Sequence, residues 1–193
     1  MCKIFNNFAL VLDLNPNYVM NDYLIYLCLP PYLAQWYAHE CNQVHNRDKA
    51  TCPREIYRFP TPVVPVRGSQ ESGVIQAHLQ KQPDLAPAPI PQDATIAIVI
   101  PSFPYKPVEY YNYVPRIGQE HLADTIRNRF QVELFDDIHE ARRITPKTRI
   151  DLLVMAWMED HCIEDDDTNF RTLLKIYQRR RDAYRKTAKT KKS

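Results

Sequence analysis

Glycine is nearly missing from this chain: three residues in 193. That excludes a site built on a glycine-rich phosphate loop, which needs several positions where backbone can approach a phosphate closely. The nearest match, Gly68-Ser-Gln-Glu-Ser-Gly73, continues as Val74-Ile75 where Lys and then Ser or Thr are required. It offers no charge for terminal phosphates and no hydroxyl for magnesium, and reads as a turn leading into a helix over Val74 to Gln80. Long apolar runs are missing as well. Phe8 to Leu12 is cut short by Asp13, and nothing approaches the ~20 apolar residues of a membrane span, so no membrane partner is expected. The five cysteines (Cys2, Cys28, Cys41, Cys52, Cys162) are odd in number and irregularly spaced. They suit reduced thiols in a cytoplasmic protein better than a secreted disulfide framework.

Familiar catalytic frames are also lacking. There is no G-x-S-x-G, no H-E-x-x-H and no paired-histidine nuclease motif. The expectation is therefore a protein that is not an enzyme and carries no cofactor.

What the chain has in excess is proline, tyrosine and a lopsided charge. Twelve of the sixteen prolines fall between Pro53 and Pro115. The formal net charge is only +2, yet residues 168–193 carry ten Lys or Arg against a single acid, Asp182, a net of +9 that leaves the remainder at −7. Affinity for a polyanion would be confined to that end of the chain.

The fold class expected is α+β: a small proline-interrupted β-sheet with short helices over residues 20–114, then an all-helical part over 115–186 ending in a basic amphipathic helix. Residues 1–19 read as a disordered extension or an over-called start, with Met20 opening a cleaner segment than Met1. Asp22 to Leu29 reads as a buried strand stopped by Pro30-Pro31, and Tyr32 to Cys41 as a short helix with Leu33, Trp36 and Tyr37 on one face. Ile56 to Val66 is at best an edge strand, because so many prolines break a hydrogen-bond ladder. Residues 81–92 read as a polyproline-like linker or loop, and Thr95 to Ile100 as a strong strand.

After Pro115 the apolar period changes to that of a helix. Leu122, Ile126 and Phe130, then Leu134 and Ile138, form a stripe, with a break expected near Gln131. Thr145-Pro146 reads as a helix start with the threonine hydroxyl as cap. Ile150, Leu153, Val154, Trp157 and Met158 form its buried face. Asp167 or Thr168 would cap the last helix, which buries Phe170, Leu173, Leu174, Tyr177 and Tyr184. Residues 187–193 are expected to be a disordered basic tail.

Two clusters invite a metal. His39, Cys41, His45 and Cys52 are zinc-competent, but H-x-C-x3-H-x6-C matches no standard module, so two ordinary histidines and two thiols in a surface loop are expected. Whether they bind zinc is left open by the sequence. Asp165, Asp166, Asp167 and Asn169 lack the glycine and the glutamate of a calcium loop and are explained by capping. Tyr105, Tyr110, Tyr111 and Tyr113, flanked by Lys106 and Arg116, could stack bases, although packing along a sheet edge is the better reading.

The strongest element is the helix pair from Thr145 to about Lys186, which has a helix-turn-helix-like layout. Its first helix would dock in the core while the second presents Arg171, Lys175, Arg179, Arg185 and Lys186 to the phosphates of duplex DNA. The acidic turn Glu164 to Asp167 would be repelled by DNA, which places contact at the middle of the last helix. The same basic face could instead hold an acidic protein partner. Trp157-Met158-Glu159-Asp160-His161-Cys162-Ile163, Asn169-Phe170 and Lys175-Ile176-Tyr177-Gln178-Arg179-Arg180-Arg181 resemble the C-terminal pattern of uncharacterised phage and mobile-element proteins of Bacteroidota-type bacteria. That resemblance covers the last third of the chain; it implies a DNA-associated role and no site residues.

Overall fold

The apolar stripe from Leu122 to Ile138 belongs to one long helix, and the rest of the molecule is arranged around it. The computed structural model describes residues 23–45, 62–83 and 90–190. In chain order these form β1 (Leu24–Leu27), α1 (Pro31–His45), β2 (Pro62–Val63), α2 (Gln70–His78), β3 (Gln80–Lys81), β4 (Ile96–Val99), β5 (Tyr111–Tyr113), α3 (Arg116–Ile144), α4 (Ile150–Asp160) and α5 (Asp167–Thr190). The class is α+β with a helical C-terminal part, as the sequence pattern implies.

β4 is the middle strand of a three-stranded sheet, antiparallel to β1 and parallel to β2. Its Ile-Ala-Ile-Val run is buried at every residue, which is how a strand covered on both faces reads. β2 occupies an edge, where Pro62 costs no ladder bond; residues 46–61, which include most of the expected edge strand, lie outside the described residues. Beyond Leu27 the ladder gives way to a side chain. Thr95 Oγ1 accepts from the Leu29 backbone N–H at 2.8 Å and lies 2.8 Å from the Leu29 carbonyl, finishing the strand just before Pro30. A second, two-stranded sheet pairs β3 with β5 antiparallel; strands of two and three residues leave almost no periodic signal.

Two of the three glycines have identifiable jobs. Gly68 takes φ 81° in the turn before α2, a conformation that strains other residues. Gly118 lets α2 meet α3: a Cβ built there would stand 2.6 Å from His78 Cβ and 2.8 Å from Val114 Cγ1.

α3 packs against α1, α2, α4, α5 and β1. Leu122, Ile126 and Leu134 are wholly buried, and Phe130 nearly so, each such side chain adding about 1.5–3 kcal/mol relative to exposure. The expected break near Gln131 does not occur, because no glycine or proline lies between Gly118 and Pro146 to cause one. Thr145-Pro146 ends this helix instead of starting the next. The Thr145 backbone N–H and its hydroxyl both donate to the Ala141 carbonyl at 2.8 Å, and the proline that follows cannot continue the helix. α4 begins at Ile150 after Arg149, with no side-chain cap.

The cap of α5 lies one residue earlier than the sequence suggests. Asp166 accepts from the backbone N–H groups of Thr168 and Asn169 at 2.7 and 2.8 Å, satisfying two orphan donors at the positive end of the helix dipole. Asn169, buried behind it, donates to Asp166 and to the Glu164 carbonyl. Leu173 and Tyr177 are the buried anchors of α5, Phe170 and Leu174 are half-buried, and Tyr184 is exposed although its ring still reaches Phe135 and His139. α5 runs to Thr190, and residues 191–193 lie outside the described residues.

Candidate functional site

Two concentrations of charge stand out, one on α5 and one between α1, α3 and the end of α4. On α5 the structure places Arg171, Lys175, Arg179, Arg185 and Lys186 in solvent. Arg171 is tied to Asp167 at 3.1 Å, and Arg181 holds Asp182 at 3.0 Å. At about 100° per residue, Asp182 falls between Arg171 and Arg179 on the helix wheel, so the basic stripe is interrupted by one acid. Lys175, Arg179 and Arg185 make no ion pair among the described residues. α3 treats its arginines differently, pairing Arg116 with Glu120, Arg127 with Asp124 and Arg143 with Glu140.

The tyrosine group divides. Tyr111 and Tyr113 pack as strand β5, but Tyr105 and Tyr110 are 92% and 68% exposed, so the sheet-edge packing expected for all four holds for two. Lys106 is committed elsewhere: its ammonium donates to the Gln76 and Leu79 carbonyls at 2.7 and 3.0 Å, serving the free end of α2. That commits one of the two cations expected beside stacked bases, and the other, Arg116, is paired with Glu120.

The second concentration was not legible as a motif. Phe130 sits at its base, with ring centroids 5.4, 5.2 and 5.6 Å from Tyr32, Trp36 and Trp157, so one aromatic ties α1, α3 and α4 together. Immediately before Phe130 in the chain, Arg129 lies over the Trp36 ring at 5.3 Å and meets three carboxylates. Glu40 on α1 is 2.8 Å away, Glu71 on α2 is 3.5 Å and Glu133 on α3 is 3.7 Å. Glu71 is 1% exposed, so Arg129 is what makes its burial tolerable. Both tryptophans donate to α3 carboxylates, Trp36 to Glu133 at 3.3 Å and Trp157 to Asp137 at 2.9 Å.

His161 closes the group. α4 ends in a left-handed cap in which Cys162, at φ 58°, takes the position usually given to glycine. The Ile163 and Cys162 N–H groups return to the carbonyls of Met158 and Glu159 at 2.9 and 3.2 Å. This turn stacks the His161 ring on Trp157, centroids 4.0 Å apart, with Nδ1 2.8 Å from the Trp157 carbonyl. A carbonyl only accepts, so Nδ1 carries a hydrogen and Nε2 faces Glu133 Oε1 at 3.7 Å. Cys162 departs from the expectation of reduced thiols, being disulfide-bonded, whereas Cys28 and Cys41 are free.

Burial and the nearby Glu40 carboxylate push the Glu133 carboxyl up to about 7, against the opposing pull of Arg129. His39, buried and 6.0 Å from His161 ring to ring, is lowered, first by burial and then by His161. His39 and Cys41 belong to α1 and are buried, not members of a surface loop, because α1 extends to His45. Burial also raises the Cys41 thiol to about 12, which leaves it a poor metal ligand at neutral pH. Cys52 lies outside the described residues, as does the side chain of His45.

A signal for this cluster did exist in the sequence. Measured from Phe130 at about 100° per residue, the stripe on α3 spans roughly −80° to +80°, and Glu133 and Asp137 fall inside it at about −60° and −20°. Glu40 likewise falls between Trp36 and Tyr37 on α1. Acids inside an apolar stripe mark buried polar groups that must find partners.

No protein-family model, no curated protein and no solved structure matches this chain. Among the described residues, no helix is long and apolar enough to cross a membrane.

Proposed function

We propose that this is a non-enzymatic DNA-binding accessory protein, of the kind phage and mobile elements carry, which holds duplex DNA by phosphate contacts from the exposed face of α5. The observation that carries this reading is the unpaired state of Lys175, Arg179 and Arg185 among the described residues, on a helix anchored only through its other side by Leu173 and Tyr177. Past Asp167, α5 contains a single acid, and Arg181 occupies it. Cations without partners keep their full charge for phosphate, and a 24-residue helix offers them along about 36 Å.

Asp182 and the Arg171–Asp167 pair reduce the contacts available, leaving Lys175, Arg179, Arg185 and Lys186 to reach three or four phosphates. Duplex affinity should then fall with salt at a log-log slope of roughly −3 to −4, about −0.9 per phosphate. Replacing Lys175 and Arg179 together by Glu should abolish binding with little change in melting temperature. If this double reversal leaves affinity intact, the reading fails and an acidic protein partner becomes the better account of the basic face.

A further inference from the structure

We propose that Glu40, Glu133 and His161 bind one divalent transition-metal ion in the seam between α1, α3 and the end of α4. One atom from each residue, a carboxylate oxygen or a ring nitrogen, lies within 4.8 Å of the other two, and all three side chains are half-buried. His161 Nε2 and Glu133 Oε1 are 3.7 Å apart. Bonds of about 2.0–2.2 Å at tetrahedral angles set neighbouring ligand atoms ~3.4 Å apart, so carboxylate movements of roughly an ångström complete the site.

The histidine supplies an independent argument. Its Nδ1 hydrogen is given to the Trp157 carbonyl at 2.8 Å, and its ring is stacked on the Trp157 indole. This is the backbone support that metal-ligating histidines ordinarily have: one nitrogen donates to a carbonyl, and the other is left with its lone pair forward. Here Nε2 points at a carboxylate oxygen, 3.7 Å away and too distant for a hydrogen bond. A ring nitrogen and a carboxylate oxygen at that separation, with no hydrogen bond between them, are a pair that a shared cation would draw together.

Charge points the same way. Glu40, Glu71 and Glu133 converge on Arg129, and Glu133 also faces His161. Three acidic side chains meet a single guanidinium in this half-buried seam, an excess of acid that a divalent ion would offset. One imidazole and two carboxylates form a borderline donor set that favours zinc or its first-row neighbours over calcium or magnesium, which prefer oxygen alone. Arg129 stays on the outer oxygens and orients both carboxylates. Three protein ligands leave a fourth position to water.

The chain has two tryptophans and both touch the site, Trp36 through Glu133 and Trp157 through His161. Tag-free full-length protein, stripped with chelator, would be titrated with Zn2+ by calorimetry and with Co2+ by tryptophan fluorescence. The expected result is one equivalent of zinc with a Kd of ~10 µM or tighter, strong quenching by cobalt, and a melting temperature higher by about 5 °C or more at hundredfold excess over Kd. His161→Gln and Glu40→Gln should each weaken zinc at least about 100-fold while melting normally in chelator, and Cys28→Ser should leave it unchanged. No saturable binding by the wild-type chain overturns the proposal, as does undiminished binding in both ligand variants. A thiolate-to-cobalt charge-transfer band would also overturn it, by assigning the ion to cysteine.

Discussion

Arg129 and Arg179 are the same residue type on two long helices packed side by side, yet they live in different electrostatic worlds. Arg129 stacks on Trp36 and is held by three carboxylates drawn from α1, α2 and α3. Arg179 stands in solvent without an ion pair among the described residues. The first is paired so completely that removing it would leave Glu71 buried with an uncompensated charge. The second contributes little to the fold, which leaves its charge available to a partner. Paired charge builds structure, and unpaired charge stays free of it.

The comparison breaks most readily at Arg129. Arg129→Leu strands a carboxylate that is 1% exposed, and should cost about 3 kcal/mol, near the low end for a buried pair because the guanidinium is itself partly wet. In a chain of this length the melting temperature should drop by roughly 6–12 °C in thermal denaturation. A loss under ~1 kcal/mol would show that the cluster is not the structural hub described above.

A smaller effect comes from pH. Glu133, facing Glu40, Arg129, Trp36 and Asp137, has its carboxyl raised to about 7 in the folded state from an ordinary 4.5. The folded chain therefore binds that proton more tightly than the unfolded chain, and stability must be lost as pH rises through about 7. Lowered His39 has the opposite sign, costing stability as pH falls below its ordinary 6.5. In chelator the melting temperature should rise by a few degrees from pH 8 to 6.5 and then level off. Glu133→Gln should flatten the upper part of that curve, and a wild-type curve already flat between pH 6.5 and 8 would contradict the assignment.

The smallest effect sharpens the contrast. Arg179→Leu should change stability by no more than about 0.5 kcal/mol, as for most surface substitutions away from special features. A cost comparable to that of Arg129→Leu would mean that Arg179 has a structural partner after all.

How much of this the sequence made visible follows the same divide. The α5 cations stand next to one another in the chain, and a 3.6-residue period suffices to place them on one face. The apolar stripes of α1, α3 and α4 are legible for the same reason. The cluster at Arg129 is assembled from Glu40, 89 residues away, and Glu71, 58 residues away, and no local pattern encodes such a meeting. What was readable there, acids inside an apolar stripe, announces a buried polar group without naming its partner. Local chemistry misled in one more place: Thr145-Pro146 carries features of a helix start, but the threonine bonds backward to Ala141 because α3 arrives there with carbonyls still unpaired.

The pairing of β1 with β4 sets Leu24 opposite Val99 and Leu27 opposite Ile96, so the main sheet joins chain segments about seventy residues apart. α3, α4 and α5, by contrast, follow one another directly and touch along short connections. Loop-closure entropy must be met before a distant contact gives anything back, and local contacts form faster. The order of assembly should therefore run backward along the chain: the helical trio collapses first around Leu134, Tyr177 and Trp157, and β1 docks last. In stopped-flow refolding the fluorescence change on burying Trp157 should precede protection of the β4 amides from exchange. A ribosome would then deliver the early-folding half of this protein after the half that must wait for it.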